Sequence, residues 1–223
     1  MSSKVLGSVQ PTYLAWIPLF ERMKMADVFI YVDDVEYTRG SFNRNRIKTA
    51  NGPLMLTVPV HFDGDSKSFI SQVKIDYSHK WQVPHWKSIE QNYQKAKYFG
   101  DVFSSVKSIL TTKHETLADL NVALIEFFRQ YLGVKTPCYR SSQILVEGLA
   151  NEKLVNLCRH FGADHFIVKP GTEEYHPSEF FKSRGIEFKY LIASNKVYPQ
   201  LYGDFLPGLS ILDYAMNCGP NSF

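Results

Sequence analysis

Two short apolar runs near the start of the chain enclose a helical pattern. Val5–Val9 ends at Gln10-Pro11, where proline removes a backbone donor, and Asp27–Asp33 is almost continuously apolar between its two acids. Between them, apolar residues recur at helical spacing from Leu14 to Met25, with Pro18 placed in the first turn. A strand that is apolar throughout is typical of a parallel sheet covered on both faces. The order strand, helix, strand therefore predicts a βαβ unit.

The same alternation returns in the C-terminal third of the chain. Asn151 and Gly162 have the residue types that begin and end a helix over Glu152–Phe161. We expect the remaining elements to be a strand at His165–Lys169, a helix at Pro177–Arg184, a strand at Ile186–Ala193 and a last helix at Leu209–Cys218.

The middle of the chain departs from this alternation. Residues 34–52 are polar and read as a loop, and Leu54–Val60 and Ser71–Tyr77 read as a hairpin whose turn contains Asp63-Gly64-Asp65. Helical patterns then follow at His85–Phe99, Val102–Leu110 and Leu117–Tyr131, the last ended by Gly133. The predicted class is α/β. It is a mostly parallel sheet flanked by helices, with a β-hairpin and a helical insertion at about 80–150, all in one domain of residues 1–223.

Composition excludes several classes of protein. The formal net charge of +3 is small and dispersed, and no block of like charges occurs, so nucleic-acid binding is not expected. No apolar run is long enough for a membrane span or a signal peptide. The three cysteines lack metal-ligand or disulfide spacing, and Cys158 reads as a buried small hydrophobe. We expect a cytoplasmic protein without a metal site.

Polar side chains collect where predicted strands end. In open α/β sheets, ligands bind outside the carboxyl ends of the strands, so residues there are expected to converge on one crevice. A small anionic substrate suits the basic members of the set. The whole polar set consists of Gln10 and Tyr13 after the first strand, Asp33, Asp34, Asn43, Arg44, Asn45, Arg46 and Lys48 after the second, and Lys169, Tyr175, Tyr198 and Gln200 after the later ones.

Each of these features has an alternative interpretation. Asp33-Asp34 could end a strand, hold a magnesium ion or supply a general base. The run Asn43–Arg46 could be a solvated loop or a binding segment for phosphate or carboxylate. His85, between Trp81 and Trp86, could be structural or an acid–base group, with Tyr93 about two turns along the same helix.

An ordered set of short motifs resembles the WbqC-like proteins over nearly the whole chain. Each motif is short, and their order along the chain makes the set specific. The motifs are Gln10-Pro11-x-Tyr13-x-x-Trp16, Ala26-Asp27-Val28-Phe29, Asp33-Asp34-Val35, Asn43-Arg44-Asn45-x-Ile47-Lys48, Leu56–Val60, Trp81, Ser88-Ile89-x-x-x-Tyr93, Tyr198-Pro199-Gln200, Phe205-x-Pro207-x-Leu209-Ser210-Ile211-x-Asp213 and Asn217-x-Gly219.

The resemblance implies a role in bacterial surface-glycan synthesis, as in O-antigen and lipopolysaccharide clusters. It points to transfer of a glycyl or aminoacyl group to a nucleotide-activated amino sugar. Asp33 is the first choice for the base and His85 the second. Arg44, Arg46 and Lys48 would hold the diphosphate of the sugar nucleotide. The other expected substrate-binding residues are Gln10, Tyr13, Asp34, Asn43, Asn45, Tyr93, Lys169, Tyr175, Tyr198, Gln200 and Asp213.

Two other classes of function stay open at the level of sequence. One is a nucleotidyltransferase-like enzyme that activates a carboxylic acid with ATP and Mg²⁺, although Gln10-Pro-Thr-Tyr13 stands where its HxGH signature would be. The other is a non-catalytic protein that binds a glycan precursor. The leading hypothesis names no cofactor, and a homodimer is left open.

Overall fold

The fold was analysed in a computed structural model that describes residues 3–38, 40, 42–62, 68–172, 174–191 and 196–223. The predicted Asp63-Gly64-Asp65 turn and the end of the strand predicted at Ile186–Ala193 lie outside these residues. The elements are β1 (Val5–Val9), α1 (Ile17–Lys24), β2 (Val28–Tyr31), β3 (Arg44–Thr49), β4 (Gly52–Thr57), α2 (Gln82–Tyr93), α3 (Phe99–Thr111), α4 (Leu117–Tyr131), β5 (Cys138–Arg140), α5 (Ala150–Phe161), β6 (His165–Val168), α6 (Ser178–Lys182), β7 (Glu187–Tyr190) and α7 (Ile211–Cys218).

The described chain forms two compact units. Unit 1 contains Met1–Val9, Pro18–Val32 and Lys135–Ser194. Unit 2 contains Gln10–Ile17, Asp33–Val134 and Asn195–Phe223. The single domain expected over residues 1–223 stays a prediction.

Unit 1 contains the parallel sheet, and the predicted α/β class is confirmed. All four strand pairs are parallel, in the order β5-β2-β1-β6-β7. Counted along the chain, this is the order 3-2-1-4-5 of a doubly wound sheet. Every residue of β2 is buried, whereas β7 at the edge is mostly exposed. The central strands are therefore the apolar ones, as expected for strands covered on both faces.

Unit 2 combines a β-hairpin with helices. β3 and β4 are antiparallel from the pair Arg44–Thr57 to the pair Thr49–Gly52, and Gly52 adopts a φ of +98° at the turn. α3 packs against α2, α4 and α7. α4 begins with a capping box between Thr116 and Asp119, and Gly133 lies just beyond its end with a φ of +77°.

Three local predictions were wrong. Residues 44–49 form β3, not a loop, because their basic and other side chains alternate with the period of a strand. The hairpin therefore pairs β3 with β4, whereas the predicted partner Ser71–Tyr77 joins Val60 only through one bridge at Ile75. Asn151 is inside α5, not at its N-cap, and its side-chain amide donates to the Tyr175 carbonyl. No described helix is both long and apolar enough to cross a membrane.

Candidate functional site

The segment that follows β1 is held in a strained conformation within unit 2. Leu14 is fully buried with a φ of +43°, a conformation that is costly for a bulky residue. Its carbonyl accepts a hydrogen bond from Asn45 Nδ2 at 2.8 Å. Asn121 Nδ2 donates to the carbonyls of Pro11 and Phe42, each at 3.0 Å. Backbone strain that is fixed by several long-range bonds is typical of functional sites. Neither Asn121 nor Leu14 was predicted as a site residue from the sequence.

Tyr13 and His85 form a buried neutral pair in unit 2. The Tyr13 hydroxyl and His85 Nδ1 are 2.8 Å apart, and the Thr57 backbone accepts a hydrogen bond from the ring. Burial lowers the pKa of His85 to about 4, so the ring is neutral at pH 7. With Tyr13 donating to Nδ1, both ring nitrogens are engaged. His85 is thus a hydrogen-bonded core residue, and its proposed acid–base role stays a prediction.

One face of β3 carries three cations. Arg44, Arg46 and Lys48 alternate along the strand and therefore project from the same face. Arg44 Nε donates to the Gly40 carbonyl at 2.8 Å, and Arg46 Nη2 donates to the Gly208 carbonyl at 3.0 Å. Arg44 is exposed and Arg46 half-exposed, and no carboxylate among the described residues forms an ion pair with either. We define these three residues as the basic face.

Lys48, at the inner end of the basic face, belongs to a buried polar cluster. Its ammonium donates to Gln200 Oε1 at 3.1 Å and to the Asp204 carbonyl at 2.5 Å. The Tyr93 hydroxyl accepts from the Lys48 backbone N–H at 2.8 Å and donates to Asp213 Oδ2 at 2.7 Å. Four residues from distant parts of unit 2 are thus linked, directly or through Tyr93, to one lysine.

The Asp213 carboxyl group is the least satisfied member of this cluster. It is completely buried, and burial raises its pKa. That rise in pKa is opposed by the hydroxyls of Tyr93 and Tyr198, the Lys48 charge and the Gln200 side chain. Tyr198 and Gln200 lie near the carboxyl group, but its Oδ1 atom has no hydrogen-bond partner of good geometry. Lys48 and Asp213 are therefore electrostatic partners in an environment with little water.

The other predicted site residues have varied surroundings. Asp33 is buried, and its carbonyl accepts from the Ser71 backbone N–H at 2.9 Å, while Asp34 is half-exposed. Asn43 is buried and donates to the Val58 carbonyl at 2.8 Å, and Gln10 is exposed. All of these are in unit 2, whereas Lys169 and Tyr175 are exposed residues of unit 1. The structure brings Lys48, Tyr93, Tyr198, Gln200 and Asp213 together. Convergence of the whole set on one crevice stays a prediction.

Histidine, cysteine and carboxylate side chains are dispersed over the described residues. Within them, no group of three or more His, Cys, Asp or Glu side chains is arranged to hold a metal ion. Burial raises the pKa of Cys158 to about 12, which makes it an inert core thiol.

The fold defines an α/β protein with a doubly wound parallel sheet. Its candidate site is a basic β-hairpin whose Lys48 belongs to a buried Lys–Tyr–Asp cluster. The sequence model of the WbqC-like protein family matches residues 10–223, and the chain belongs to this family. It is also 32% identical over 219 residues to the uncharacterized protein Rv1507c of Mycobacterium tuberculosis, covering 97% of this chain and 94% of that protein. No solved structure matches the chain significantly.

Proposed function

We propose that the protein is a transferase of bacterial surface-polysaccharide synthesis that attaches a glycyl or other aminoacyl group to a nucleotide-activated amino sugar. The observation that carries the proposal is the basic face of β3. Arg44 and Arg46 are accessible guanidinium groups whose described partners are neutral carbonyl oxygens. Guanidinium groups bind phosphate oxygens through paired, charge-assisted hydrogen bonds, so the two residues suit the diphosphate of a sugar nucleotide.

Lys48 has a different part in this proposal. Its ammonium is buried and already bonded to Gln200 and Asp204, so it fixes the 200–206 segment against β3 and does not itself grip the diphosphate. Gln200 extends the link, because its Oε1 atom accepts from the Leu206 N–H at 2.8 Å. Lys48 is therefore a positioning residue beside the two arginines that bind substrate.

The transfer step needs a base for the amine. The amine nitrogen forms a bond to the acyl carbon of a preformed activated donor, the bond to the leaving group breaks, and the ammonium proton passes to a base. Asp33 is the proposed base in preference to His85, because both ring nitrogens of His85 are already engaged in hydrogen bonds. Tyr198, also in unit 2, is proposed to orient the sugar.

A second candidate is an enzyme that activates a carboxylic acid by nucleotidyl transfer from ATP. The observation that favours it is the 3-2-1-4-5 strand order of unit 1, because doubly wound sheets of this order bind nucleotides at the carboxyl ends of their strands. It predicts release of pyrophosphate that depends on ATP and Mg²⁺. Transfer from a preformed donor does not require ATP.

Mass spectrometry of the reaction products tests the proposal. Purified protein is given glycine, ATP with Mg²⁺, and candidate nucleotide amino sugars, with a parallel reaction that replaces glycine and ATP by an activated glycyl donor. We expect the R44Q/R46Q double variant to raise KM for the sugar nucleotide about tenfold or more, because each lost charge-assisted bond is worth about 1.5–3 kcal/mol. Asp33→Asn is expected to lower kcat by about 10²–10⁴-fold.

Lys95→Gln is the matched control, since Lys95 is an exposed cation of unit 2 away from β3 in sequence. It should leave both constants unchanged. Unaltered turnover and unaltered KM in the folded Asp33 and Arg44/Arg46 variants would refute the site. Binding of the sugar nucleotide without any product would instead assign the protein to the non-catalytic class.

A further inference from the structure

The parallel sheet of unit 1 opens at one position. β1 is aligned with β2 along its length, from the pair Leu6–Val28 to the pair Val9–Tyr31. β1 is aligned with β6 only at the pairs Val5–His165 and Leu6–Phe166. The carboxyl halves of β1 and β6 therefore separate. This is also where the strand order reverses, which is the place where a doubly wound sheet forms its ligand crevice.

Arg22 of α1 reaches into this opening. The Asp27 N–H bonds to the Val5 carbonyl and the Val32 N–H bonds to the Val9 carbonyl, so the odd-numbered carbonyls of β1 point toward β2. The Ser8 carbonyl consequently points toward β6, where the separated strand supplies no N–H. It accepts instead from Arg22 Nη1 at 2.9 Å. The guanidinium thus lies between the ends of the two strands.

The Arg22 charge is not neutralised by the described residues of the chain. Arg22 is half-buried, and burial lowers its pKa. Among the described residues, the Ser8 carbonyl is its hydrogen-bond partner and no carboxylate forms an ion pair with it. A guanidinium has five N–H donors, and the described residues bond only to Nη1, so the other donors can reach a further acceptor. A partly desolvated cation without a counter-charge favours a bound anion.

His176 lies in the loop between β6 and α6, where Asn151 holds its ring. Its Nδ1 atom is 2.8 Å from Asn151 Oδ1, and Asn151 Nδ2 donates to the Tyr175 carbonyl at 2.8 Å. The amide oxygen accepts, so Nδ1 carries the proton, and Nε2 has no hydrogen-bond partner among the described residues. Burial lowers the pKa of His176, and the positive charge of Arg22 lowers it further. The ring is also packed against Phe166 and Phe181.

We propose that Arg22 and His176 form a binding site for a phosphate group of a phosphorylated ligand, at the mouth of the β1–β6 crevice. The guanidinium offers its remaining N–H groups to two phosphate oxygens. His176 Nε2 takes up a proton when the anion arrives and donates to a third oxygen. Lys169, an exposed cation just beyond β6, adds positive charge at the same edge of the sheet. The site lies wholly within unit 1 and does not depend on the proposed transfer reaction.

Calorimetric titration of the full chain with pyrophosphate at pH 7 tests this site. We expect saturable binding that Arg22→Gln weakens about tenfold or more, since glutamine keeps a donor for Ser8 but loses the charge. Arg184→Gln is the matched control because Arg184 is an exposed arginine of unit 1 stacked 3.7 Å over the Phe180 ring. It should change the affinity less than about twofold.

Two further variants keep the result decisive. If Arg22→Gln does not fold, Arg22→Lys keeps the charge and loses the paired geometry, and a reduction of about threefold or more supports the site. Wild-type affinity in either Arg22 variant, or no saturable binding by the wild-type chain, overturns it. The R44Q/R46Q variant separates the two sites. If R44Q/R46Q abolishes pyrophosphate binding and Arg22→Gln does not change it, the phosphate binds at the basic face. That result would support the proposed transferase site and refute the Arg22 site.

Discussion

Unit 2 buries two polar clusters that differ in how their polar groups are compensated for the loss of contact with water. The Tyr13–His85 pair is neutral, and both ring nitrogens have partners in the hydroxyl of Tyr13 and the backbone of Thr57. The Lys48–Tyr93–Asp213 cluster buries an ammonium and a carboxyl group, and Asp213 Oδ1 lacks a good partner. A satisfied neutral pair rigidifies a core at little cost, whereas buried charges depend on every partner being present. The difference marks the Lys48 cluster as the more sensitive of the two.

The two clusters also respond to acid with opposite signs. Burial lowers the pKa of His85, so the unfolded chain binds the proton more readily and acid removes stability. Burial raises the pKa of Asp213, so the folded chain binds the proton more readily. The Asp213 contribution is therefore present below its unfolded pKa and is lost as pH rises through its folded pKa.

The largest effect is expected from removing the cation of the charged cluster. Lys48→Met should lower the free energy of unfolding by about 3–5 kcal/mol, because it leaves the Asp213 carboxyl group buried without its cation and the Asp204 carbonyl without a donor. Urea denaturation at pH 7 measures the change. Lys95→Met, at an exposed position, is the control. A loss below about 1 kcal/mol would show that the charged cluster is no more sensitive than a surface pair.

The next effect concerns the pH dependence of the neutral pair. With a His85 pKa near 6.5 in the unfolded chain and about 4 in the folded chain, this residue alone removes about 3 kcal/mol of stability between pH 7 and pH 4. The His85→Gln variant lacks this pH-dependent loss of stability. The difference in unfolding free energy between wild type and variant should therefore shrink, or reverse, by that amount on acidification. A difference that stays constant from pH 7 to pH 4 would contradict the lowered pKa.

The smallest effect is expected from the hydroxyl of the neutral pair. Tyr13→Phe should cost about 1–2 kcal/mol at pH 7, since it leaves the buried Nδ1 atom of His85 without a donor. The variant keeps the histidine and should keep the acid-induced loss of stability. Thermal and urea unfolding at pH 7 and pH 4 measure both quantities. A loss as large as that of Lys48→Met would abolish the contrast between the clusters.

Local periodicity was enough for four of the five parallel strands and for most helices, whereas the short edge strand β5 was not predicted. The apolar run at 27–33 predicted a doubly covered strand, and β2 is buried at every residue. Leu117–Tyr131 was predicted from its apolar stripe and forms α4 with those bounds. β3 was missed because Ile47 is its only large apolar residue. The alternation of Arg44, Arg46 and Lys48 was the signal that could have revealed the strand.

The sequence predicted which residues belong to the candidate site, but it did not predict which of them contact each other. Lys48, Gln200 and Asp213 were all named from the sequence, but Lys48 meets Gln200 across 152 positions and Tyr93 meets Asp213 across 120. Asn121, which fixes the Pro11–Phe42 region, was not predicted because a buried asparagine in a helix has no local pattern. Arg22 was likewise not predicted, because its hydrogen bond to the Ser8 carbonyl of β1 leaves no local pattern in the sequence.

The sequence by itself determined the α/β class, the strand–helix–strand opening and the family, because each depends on neighbouring residues or on motif order along the chain. Only the tertiary structure decided that Arg44 and Arg46 lie on one strand face, that Lys48 is buried against Tyr93 and Gln200, and that β1 and β6 part around Arg22. The physical reason is that burial and hydrogen bonding of polar groups are settled between segments far apart in the chain.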